Sequence, residues 1–365
     1  MTASKLLSPA KLGPLALKNH VVMAPMTRSR ANGNIPNSLM AQYYKQRAGA
    51  GLIVTEGTSP SPNGLGYARI PGIFSEEQVE GWKKTTTSVH QQGSKIFIQL
   101  MHTGRVSHPL NLPEGAEVLA PSAIKLSGQT WTDSAQMQDY PTPKAMTAED
   151  IERTIAEFVN AAENAIDAGF DGVELHGANG YLLEQFLSPF SNERTDDYGG
   201  TLANRCRFVV EVVAGVANAI GKEKTGIRLS PYGVFNDMPA YPEIDATYQY
   251  LAEQFNTLGI VYIHLVDHST MGAPEVPLKI KELIRDTFKN TLILSGGYDQ
   301  QRAEADLESG FADLAAFGKP FINNPDLVER FTASLPLATE LHFDTFYTPG
   351  EKGYTDYPVY EGELA

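Results

Sequence analysis

The chain has 365 residues, of which 42 % are hydrophobic and 20 % are charged, as in an average globular protein. Its 43 acidic residues outnumber the 29 lysines and arginines, and the net charge of −14 disfavours binding to nucleic acid or to anionic membranes. The single cysteine, Cys206, excludes an intramolecular disulfide and a four-cysteine metal cluster, so we expect a reducing, cytoplasmic setting. The first twenty residues lack the apolar stretch of a signal peptide, and no apolar run has the length of a membrane span.

Eight short apolar segments alternate with segments of helical spacing. The predicted strands are 20–26, 51–57, 95–102, 171–177, 226–231, 260–266, 291–297 and 312–318. The predicted helices are 38–48, 76–92, 148–168, 203–220, 244–257, 276–288, 299–309 and 324–334. This alternation favours a closed barrel over an open doubly wound sheet, which usually has fewer strands. We therefore predict an α/β fold in which residues 1–365 form a single (β/α)8 TIM barrel domain.

The connection after the third predicted strand, residues 103–147, is much longer than the others. It is rich in Pro, Ser and Thr, and a loop of this length inside a compact domain is usually functional. We interpret it as a hairpin-bearing lid over the carboxyl-terminal mouth of the barrel, where barrel enzymes have their active sites. A disordered excursion is the alternative. At its end, Thr147 and Asp150 match a capping box for the next helix.

Polar side chains occur at the predicted carboxyl ends of several strands, where core strands would otherwise end in apolar residues. They are Thr27 and Arg28, Gln99 and His102, Glu174 and His176, and Arg228. Each residue alone fits a helix cap or a satisfied buried group, but together they predict one site at the mouth. Arg228 is the most informative, because a buried guanidinium requires an anionic or electron-rich partner.

Glycine-containing turns follow the last two predicted strands. Gly296 and Gly297 lie in the first turn, and Gly318 and Lys319 in the second. In barrels these two loops commonly form a phosphate site, because glycine lets the backbone approach the phosphate and a lysine supplies positive charge. Ordinary strand-to-helix turns are the alternative interpretation.

The segment 176–200 carries the most specific pattern. His176 and Asn179 are three residues apart at a strand end, so both side chains can donate to one oxygen atom. Tyr181 follows with a phenol that stays protonated at neutral pH. Two fixed donors and an acid suit the addition of hydride to a double bond conjugated with a carbonyl group. A metal site would require further His or carboxylate ligands, and we predict none.

These motifs resemble the old yellow enzymes, a family of FMN-dependent ene-reductases, and within it the branch that contains pentaerythritol tetranitrate reductase and morphinone reductase. The resemblance extends from Leu6 to about Pro358. The matching segments are APMTRSRA (24–31), QLMHTGR (99–105), HGANGYLLEQFLSP (176–189), NERTDDYGG (192–200), FGKPFINNPDL (317–327) and GYTDYP (353–358).

The resemblance implies one tightly bound, non-covalent FMN, with NADPH or NADH as the reductant. The residues that match the family's flavin site are Pro25, Thr27, Gly57, Gln99 and Arg228 at the ring system, and Gly296, Gly297, Gly318 and Lys319 at the phosphate. Lys319 stands where many relatives carry arginine, which replaces a bidentate contact by a point charge.

The resemblance also implies how a substrate binds and reacts. His176 and Asn179 match the pair that polarises the substrate oxygen, and Tyr181 matches the proton donor. Tyr67 and Tyr354 match aromatic walls of the substrate pocket, and Met101 stands at a pocket position that is often tryptophan in this branch. The implied reaction adds hydride from FMN N5 to the β-carbon of an enone, enal, maleimide or nitroalkene, and Tyr181 protonates the α-carbon. Nitro compounds and nitrate esters are further candidate substrates, and we expect a monomer or homodimer.

The residues alone leave two other functions open. A flavin-free barrel enzyme that acts on sugar phosphates would share the phosphate loops. A flavin-binding sensor or storage protein would share the cofactor but would not need an acid such as Tyr181. Turnover with NADPH and 2-cyclohexenone separates all three functions.

Overall fold

The computed structural model describes residues 4–361, which form fourteen strands and ten α-helices. The strands are β1 (Ala10–Leu12), β2 (Leu15–Leu17), β3 (Val21–Met23), β4 (Leu52–Thr58), β5 (Lys95–Leu100), β6 (Leu119–Ala120), β7 (Gln129–Thr132), β8 (Gln136–Asp139), β9 (Lys144–Ala145), β10 (Gly172–Gly177), β11 (Thr225–Leu229), β12 (Tyr262–Val266), β13 (Thr291–Ser295) and β14 (Leu314–Phe317). The helices are α1 (Ser38–Gln46), α2 (Glu76–His90), α3 (Ala148–Asp167), α4 (Leu182–Leu187), α5 (Leu202–Ile220), α6 (Ile244–Leu258), α7 (Leu278–Thr287), α8 (Gln300–Glu308), α9 (Lys319–Asn323) and α10 (Leu327–Ala333).

Eight of these strands form a closed parallel barrel in the order β10-β11-β12-β13-β14-β3-β4-β5. Each of the eight coincides with a strand expected from the sequence, so the (β/α)8 TIM barrel is confirmed. All eight expected helices are present as well, with ends that differ by up to three residues, and α4 and α9 are two additional short helices. Residues 1–3 and 362–365 of the expected single domain lie outside the described residues, and the domain assignment stays a prediction. Within 4–361, each helix is too short or too polar to cross a membrane.

The barrel is packed with apolar side chains on both faces of its strands. Strands β4, β10, β11 and β12 are buried at every residue, as expected for parallel strands inside a ring of helices. Leu12 and Leu17 of the β1–β2 hairpin pack in one cluster with the barrel side chains Leu52, Val54 and Phe97. The hairpin therefore closes the amino-terminal end of the barrel, and the carboxyl-terminal end is left for a site.

The long segment 103–147 contains two small sheets. β6 pairs with β9, and β7 forms an antiparallel hairpin with β8 in which Gln129 lies opposite Asp139. The function of this segment as a lid stays a prediction. The capping box after it is confirmed, because Thr147 Oγ1 accepts from the Asp150 N–H at 3.1 Å and Asp150 Oδ2 accepts from the Thr147 N–H at 3.0 Å.

Two buried arginines fix the C-terminal segment to the end of β3. Arg28 donates to the carbonyl oxygens of Phe346 at 3.2 Å and Gly353 at 2.5 Å. Arg30 donates to the carbonyl oxygen of Thr345 at 2.7 Å. Guanidinium groups present several donors in a fixed plane, so each arginine can hold several carbonyl groups at once.

We expect the capping box to contribute to the stability of the protein by fixing the start of α3. Thr147→Ala removes one of its two hydrogen bonds, and we expect the free energy of unfolding to fall by about 1 kcal/mol. The exposed Thr87 in the last turn of α2 supplies the control, because Thr87→Ala should change stability by less than about 0.5 kcal/mol. Urea unfolding followed by far-UV circular dichroism measures both variants. Equal unfolding midpoints in Thr147→Ala and wild type would contradict the role of Thr147.

Candidate functional site

A cavity of about 1260 Å³ lies at the carboxyl-terminal mouth of the barrel. Its volume exceeds the roughly 300–1,000 Å³ that is typical of a site for one drug-sized ligand, so it has room for a cofactor and a second molecule. Most of the residues expected at the site line this cavity. They are Pro25, Thr27, Tyr67, Gln99, Met101, His176, Asn179, Tyr181, Arg228, Gly296, Gly297, Gly318 and Lys319.

Four other expected residues, Gly57, His102, Glu174 and Tyr354, do not line the cavity. A Cβ atom on Gly57 would lie 2.6 Å from Met101 Sδ, so the Met101 side chain occupies the space beside this glycine. Tyr354 is fully buried, with its ring stacked on Tyr43 at a centroid distance of 4.0 Å. Its assignment as a pocket wall is wrong, and the C-terminal segment contributes Tyr347 to the cavity instead.

Gln99 is held by a buried carboxylate beneath the cavity. Its Nε2 donates to Glu174 Oε1 at 2.8 Å, and Glu174 Oε2 accepts from the Tyr262 hydroxyl at 3.0 Å and contacts His264 Nδ1 at 2.8 Å. Burial raises the pKa of Glu174, but His264, Arg228 and the hydrogen bond from Gln99 outweigh it and hold the pKa below its ordinary value. The carboxylate is therefore ionised and orients Gln99.

Arg228 carries an unsatisfied donor. Its Nε atom is buried and has no hydrogen-bond partner within residues 4–361. Burial lowers the pKa of Arg228 and the Glu174 carboxylate opposes this, but a guanidinium stays charged at neutral pH. Leaving such a buried donor without a partner costs about 1–3 kcal/mol or more. The cavity is thus suited to a ligand that places an acceptor against Arg228.

A left-handed turn brings the His–Asn–Tyr group into the cavity. It follows β10, and Asn179 and Gly180 have φ values of +60° and +74°. Asparagine adopts this conformation more readily than most residues. Glycine is required at position 180, because a Cβ atom there would lie 2.6 Å from the Phe235 carbonyl oxygen. Tyr181 then forms the N-cap of α4, and its side chain lines the cavity.

The electrostatics of this group suit two neutral donors and an acid. Burial, assisted by Arg228, lowers the pKa of His176 well below its ordinary value, so the imidazole is neutral at pH 7. Its Nδ1 atom is buried without a hydrogen-bond partner in the described chain. Burial raises the pKa of Tyr181 to about 12, although the hydroxyl of Tyr67, 3.0 Å from that of Tyr181, acts in the opposite direction. Tyr181 therefore keeps its proton until a reaction removes it.

The glycine turns have different structural requirements. Gly296 has a φ of +115°, and a Cβ atom there would lie 2.0 Å from the Asp267 carbonyl oxygen, so the fold itself requires this glycine. Gly318 has a negative φ, and a Cβ atom there would meet nothing closer than 3.6 Å. Packing therefore does not require a glycine at position 318, and the absence of a side chain there leaves open space in the cavity. The adjacent Lys319 is exposed at the start of α9.

Several residues of the cavity were not expected from the sequence. His268 follows β12, and its Nε2 lies 2.7 Å from Asn179 Oδ1. The rule of polar side chains at strand ends, applied to β12, would have found it. Trp131 and Tyr140 come from segment 103–147 and Tyr347 from the C-terminal segment, and no local pattern indicates them. In the part of the chain described, no three His, Cys, Asp or Glu side chains are grouped to hold a metal ion.

Comparison with known proteins gives consistent matches along the chain. The NADH:flavin oxidoreductase / NADH oxidase family model matches residues 5–338. A 12-oxophytodienoate reductase 1 from Oryza sativa subsp. japonica is 42 % identical over 365 residues, covering 98 % of this chain and 94 % of the relative. A probable flavin mononucleotide-dependent alkene reductase from Leishmania infantum is 40 % identical and covers 97 % of each chain.

Solved structures match equally well. Morphinone reductase has a TM-score of 0.94 and 41 % identity, covering 100 % of this chain and 99 % of the other. An old yellow enzyme homologue from Zymomonas mobilis has a TM-score of 0.93 and 39 % identity, covering 98 % of this chain and 100 % of the other. The family match and the relatives agree with the resemblance found in the motifs. The chain therefore belongs to the NADH:flavin oxidoreductase / NADH oxidase family, as a member of the old yellow enzymes, and is an NAD(P)H-dependent flavin oxidoreductase.

Proposed function

We propose that this protein is an ene-reductase that uses FMN and a reduced nicotinamide to reduce alkenes activated by a carbonyl or nitro group. The observation that carries the proposal is a pair of buried nitrogen atoms without partners in the described residues, Arg228 Nε and His176 Nδ1. Both belong to residues that line the same cavity as Tyr181. The guanidinium suits an electron-rich cofactor edge, and the neutral imidazole, which carries one N–H, suits a substrate oxygen.

The cavity residues fit FMN. Arg228 and Gln99 would hold the pyrimidine edge, because a fixed positive charge there favours a reduced, anionic flavin. Thr27 and the backbone beside Pro25 lie on the same cavity wall, at the end of β3. Gly318 and Lys319 would receive the phosphate, with open space from the glycine and positive charge from the lysine. FMN held by these residues would supply the hydride for the β-carbon of the alkene, with NADPH or NADH as the reductant.

His176 and Asn179 would bind the oxygen of the activating group. The imidazole is neutral, so it donates a hydrogen bond without adding a proton to the substrate. An N–H from each side chain stabilises the negative charge that develops on this oxygen as the β-carbon accepts hydride. Enones, enals, maleimides and nitroalkenes present such an oxygen, and the buried, neutral surroundings strengthen each hydrogen bond.

Tyr181 would complete the reaction as the general acid. Its phenol O–H gives a proton to the α-carbon, the electron pair of the enolate forms the new C–H bond, and the oxygen of Tyr181 is left as phenolate. The Tyr67 hydroxyl, 3.0 Å away, can donate a hydrogen bond to that phenolate and lower the cost of the transfer. Hydride and proton together saturate the double bond, and solvent returns the proton to Tyr181.

Tyr181→Phe tests the acid. The variant keeps the ring and its packing, so we expect unchanged FMN content and an unchanged rate of flavin reduction by NADPH. Reoxidation by 2-cyclohexenone should slow by about 10²–10⁴-fold, the usual effect of losing a positioned general acid. Nitroalkenes should lose less, because their nitronate product is stable and can be protonated later by water.

Stopped-flow measurement of both half-reactions decides the assignment. Tyr140→Phe is the matched control, since it removes another hydroxyl from the same cavity and should retain the wild-type rates within a few-fold. Equal rates of enone reduction in wild type and Tyr181→Phe would falsify the role of Tyr181. A loss confined to flavin reduction would assign Tyr181 to the nicotinamide step instead.

Lys319→Ala tests the phosphate site. A charge-assisted hydrogen bond contributes about 1.5–3 kcal/mol, so the Kd for FMN should rise about 10- to 100-fold while the barrel stays folded. Lys84→Ala, on the exposed face of α2, changes the net charge equally and should not alter the Kd. Titration of the apoprotein with FMN, followed by quenching of flavin fluorescence, measures both variants. Equal affinity in Lys319→Ala and wild type would exclude this lysine from the phosphate site.

A further inference from the structure

His268 contacts Asn179, one of the two proposed donors to the substrate oxygen, although the two residues follow different strands of the barrel. It lies on the turn after β12, is half-buried and lines the cavity. Its Nε2 is 2.7 Å from Asn179 Oδ1, and its ring packs edge-on against Phe235 at a centroid distance of 4.7 Å. The contact therefore joins the turn after β10 to the turn after β12.

The backbone of Asn179 is already fixed by other contacts. Its N–H donates to Ser230 Oγ at 2.8 Å, and Ser230 in turn donates to the buried Glu184 carboxylate at 2.9 Å. Its carbonyl oxygen accepts from Asn236 Nδ2 at 2.7 Å. These contacts do not fix the orientation of the Asn179 side-chain amide. This orientation matters, because one end of the amide accepts hydrogen bonds and the other end donates them.

We propose that His268 is a positioning residue that holds the Asn179 amide with its oxygen toward His268 and its nitrogen available to the substrate oxygen. The inference rests on the proposed function, in which Asn179 donates to that oxygen. An amide turned the other way would present its own lone pairs to the developing negative charge and oppose the reaction.

The state of the imidazole supports this arrangement. Burial, assisted by the positive charge of Arg228, lowers the pKa of His268 to about 4, while Asp267 acts in the opposite direction. His268 is therefore neutral at pH 7 and carries one N–H. With that hydrogen on Nε2, the imidazole donates to Asn179 Oδ1 and leaves both hydrogens of Nδ2 free. The ring also lies against Phe235, which limits its rotation.

A double-mutant cycle with the FMN-loaded protein tests the coupling. The probe is phenol, whose ionised oxygen would bind the same two donors and whose ring would stack on oxidised flavin to give a long-wavelength absorption band. His268→Phe keeps an aromatic ring against Phe235 but removes the N–H. We expect it to raise the Kd for phenol about 3- to 10-fold, the range for one neutral hydrogen bond. In the Asn179→Ala background, the same change should alter the Kd by less than twofold.

His268→Gln is the rescue variant, because its amide can again donate to Asn179 Oδ1, and it should recover most of the affinity. Equal effects of His268→Phe in both backgrounds would show that His268 contacts the ligand itself and would overturn the inference. No effect in either background would overturn it as well. If Asn179→Ala and His176→Ala both leave the Kd unchanged, the proposed oxygen site fails, and the inference fails with it. FMN content and unfolding midpoints of all variants control for misfolding.

A crystal structure of the wild-type protein with phenol provides a test that requires no variant. The inference requires Asn179 within hydrogen-bond distance of both the phenol oxygen and His268 Nε2. A His268 side chain turned away from Asn179 in that complex would overturn it.

Discussion

Closure of a parallel barrel is the constraint from which the site follows. Because all eight strands run in the same direction, their carboxyl ends meet at one rim, and the β1–β2 hairpin closes the opposite end. The register of the strands then determines which residues lie side by side on adjacent strands. Gln99 pairs with Glu174, and His176 pairs with Arg228. Residues that are far apart in the chain thus become adjacent through backbone hydrogen bonds alone.

The same register places a charged side chain beside a neutral one at two levels of the barrel. The ionised Glu174 lies beneath the cavity and satisfies its oxygen atoms with Gln99, Tyr262 and His264. Arg228, one strand away, has a guanidine nitrogen without a partner in the described chain. Burial, assisted by the positive charge of Arg228, lowers the pKa of His176 and keeps it neutral. The Glu174 carboxylate therefore orients Gln99 at the proposed cofactor edge, and the charge of Arg228 favours the neutral form of His176, a proposed substrate donor.

The barrel and most of the site could be predicted from the sequence for a physical reason. Buried parallel strands are continuous apolar runs, and each side chain after such a run must lie at the rim. This reasoning does not account for Gly57 and Tyr354, which were expected at the site but do not line the cavity. Gly57 lies near the carboxyl end of β4, but the Met101 side chain covers it, and position along a strand does not specify which neighbouring side chain covers a residue. Tyr354 stacks on Tyr43, about three hundred residues earlier in the chain, and no local pattern indicates such a contact.

The contacts between the two ends of the chain determine when the protein can complete its fold during synthesis. β3 is made early, but its neighbour β14 is among the last strands made, and the carbonyl acceptors of Arg28 lie more than three hundred residues later. A chain still growing on the ribosome therefore has an open sheet and unpaired guanidinium groups near its amino end. Contacts of such sequence separation form late and slow the final folding step. The cavity acquires its last wall, at Tyr347, only when nearly the whole chain has been released.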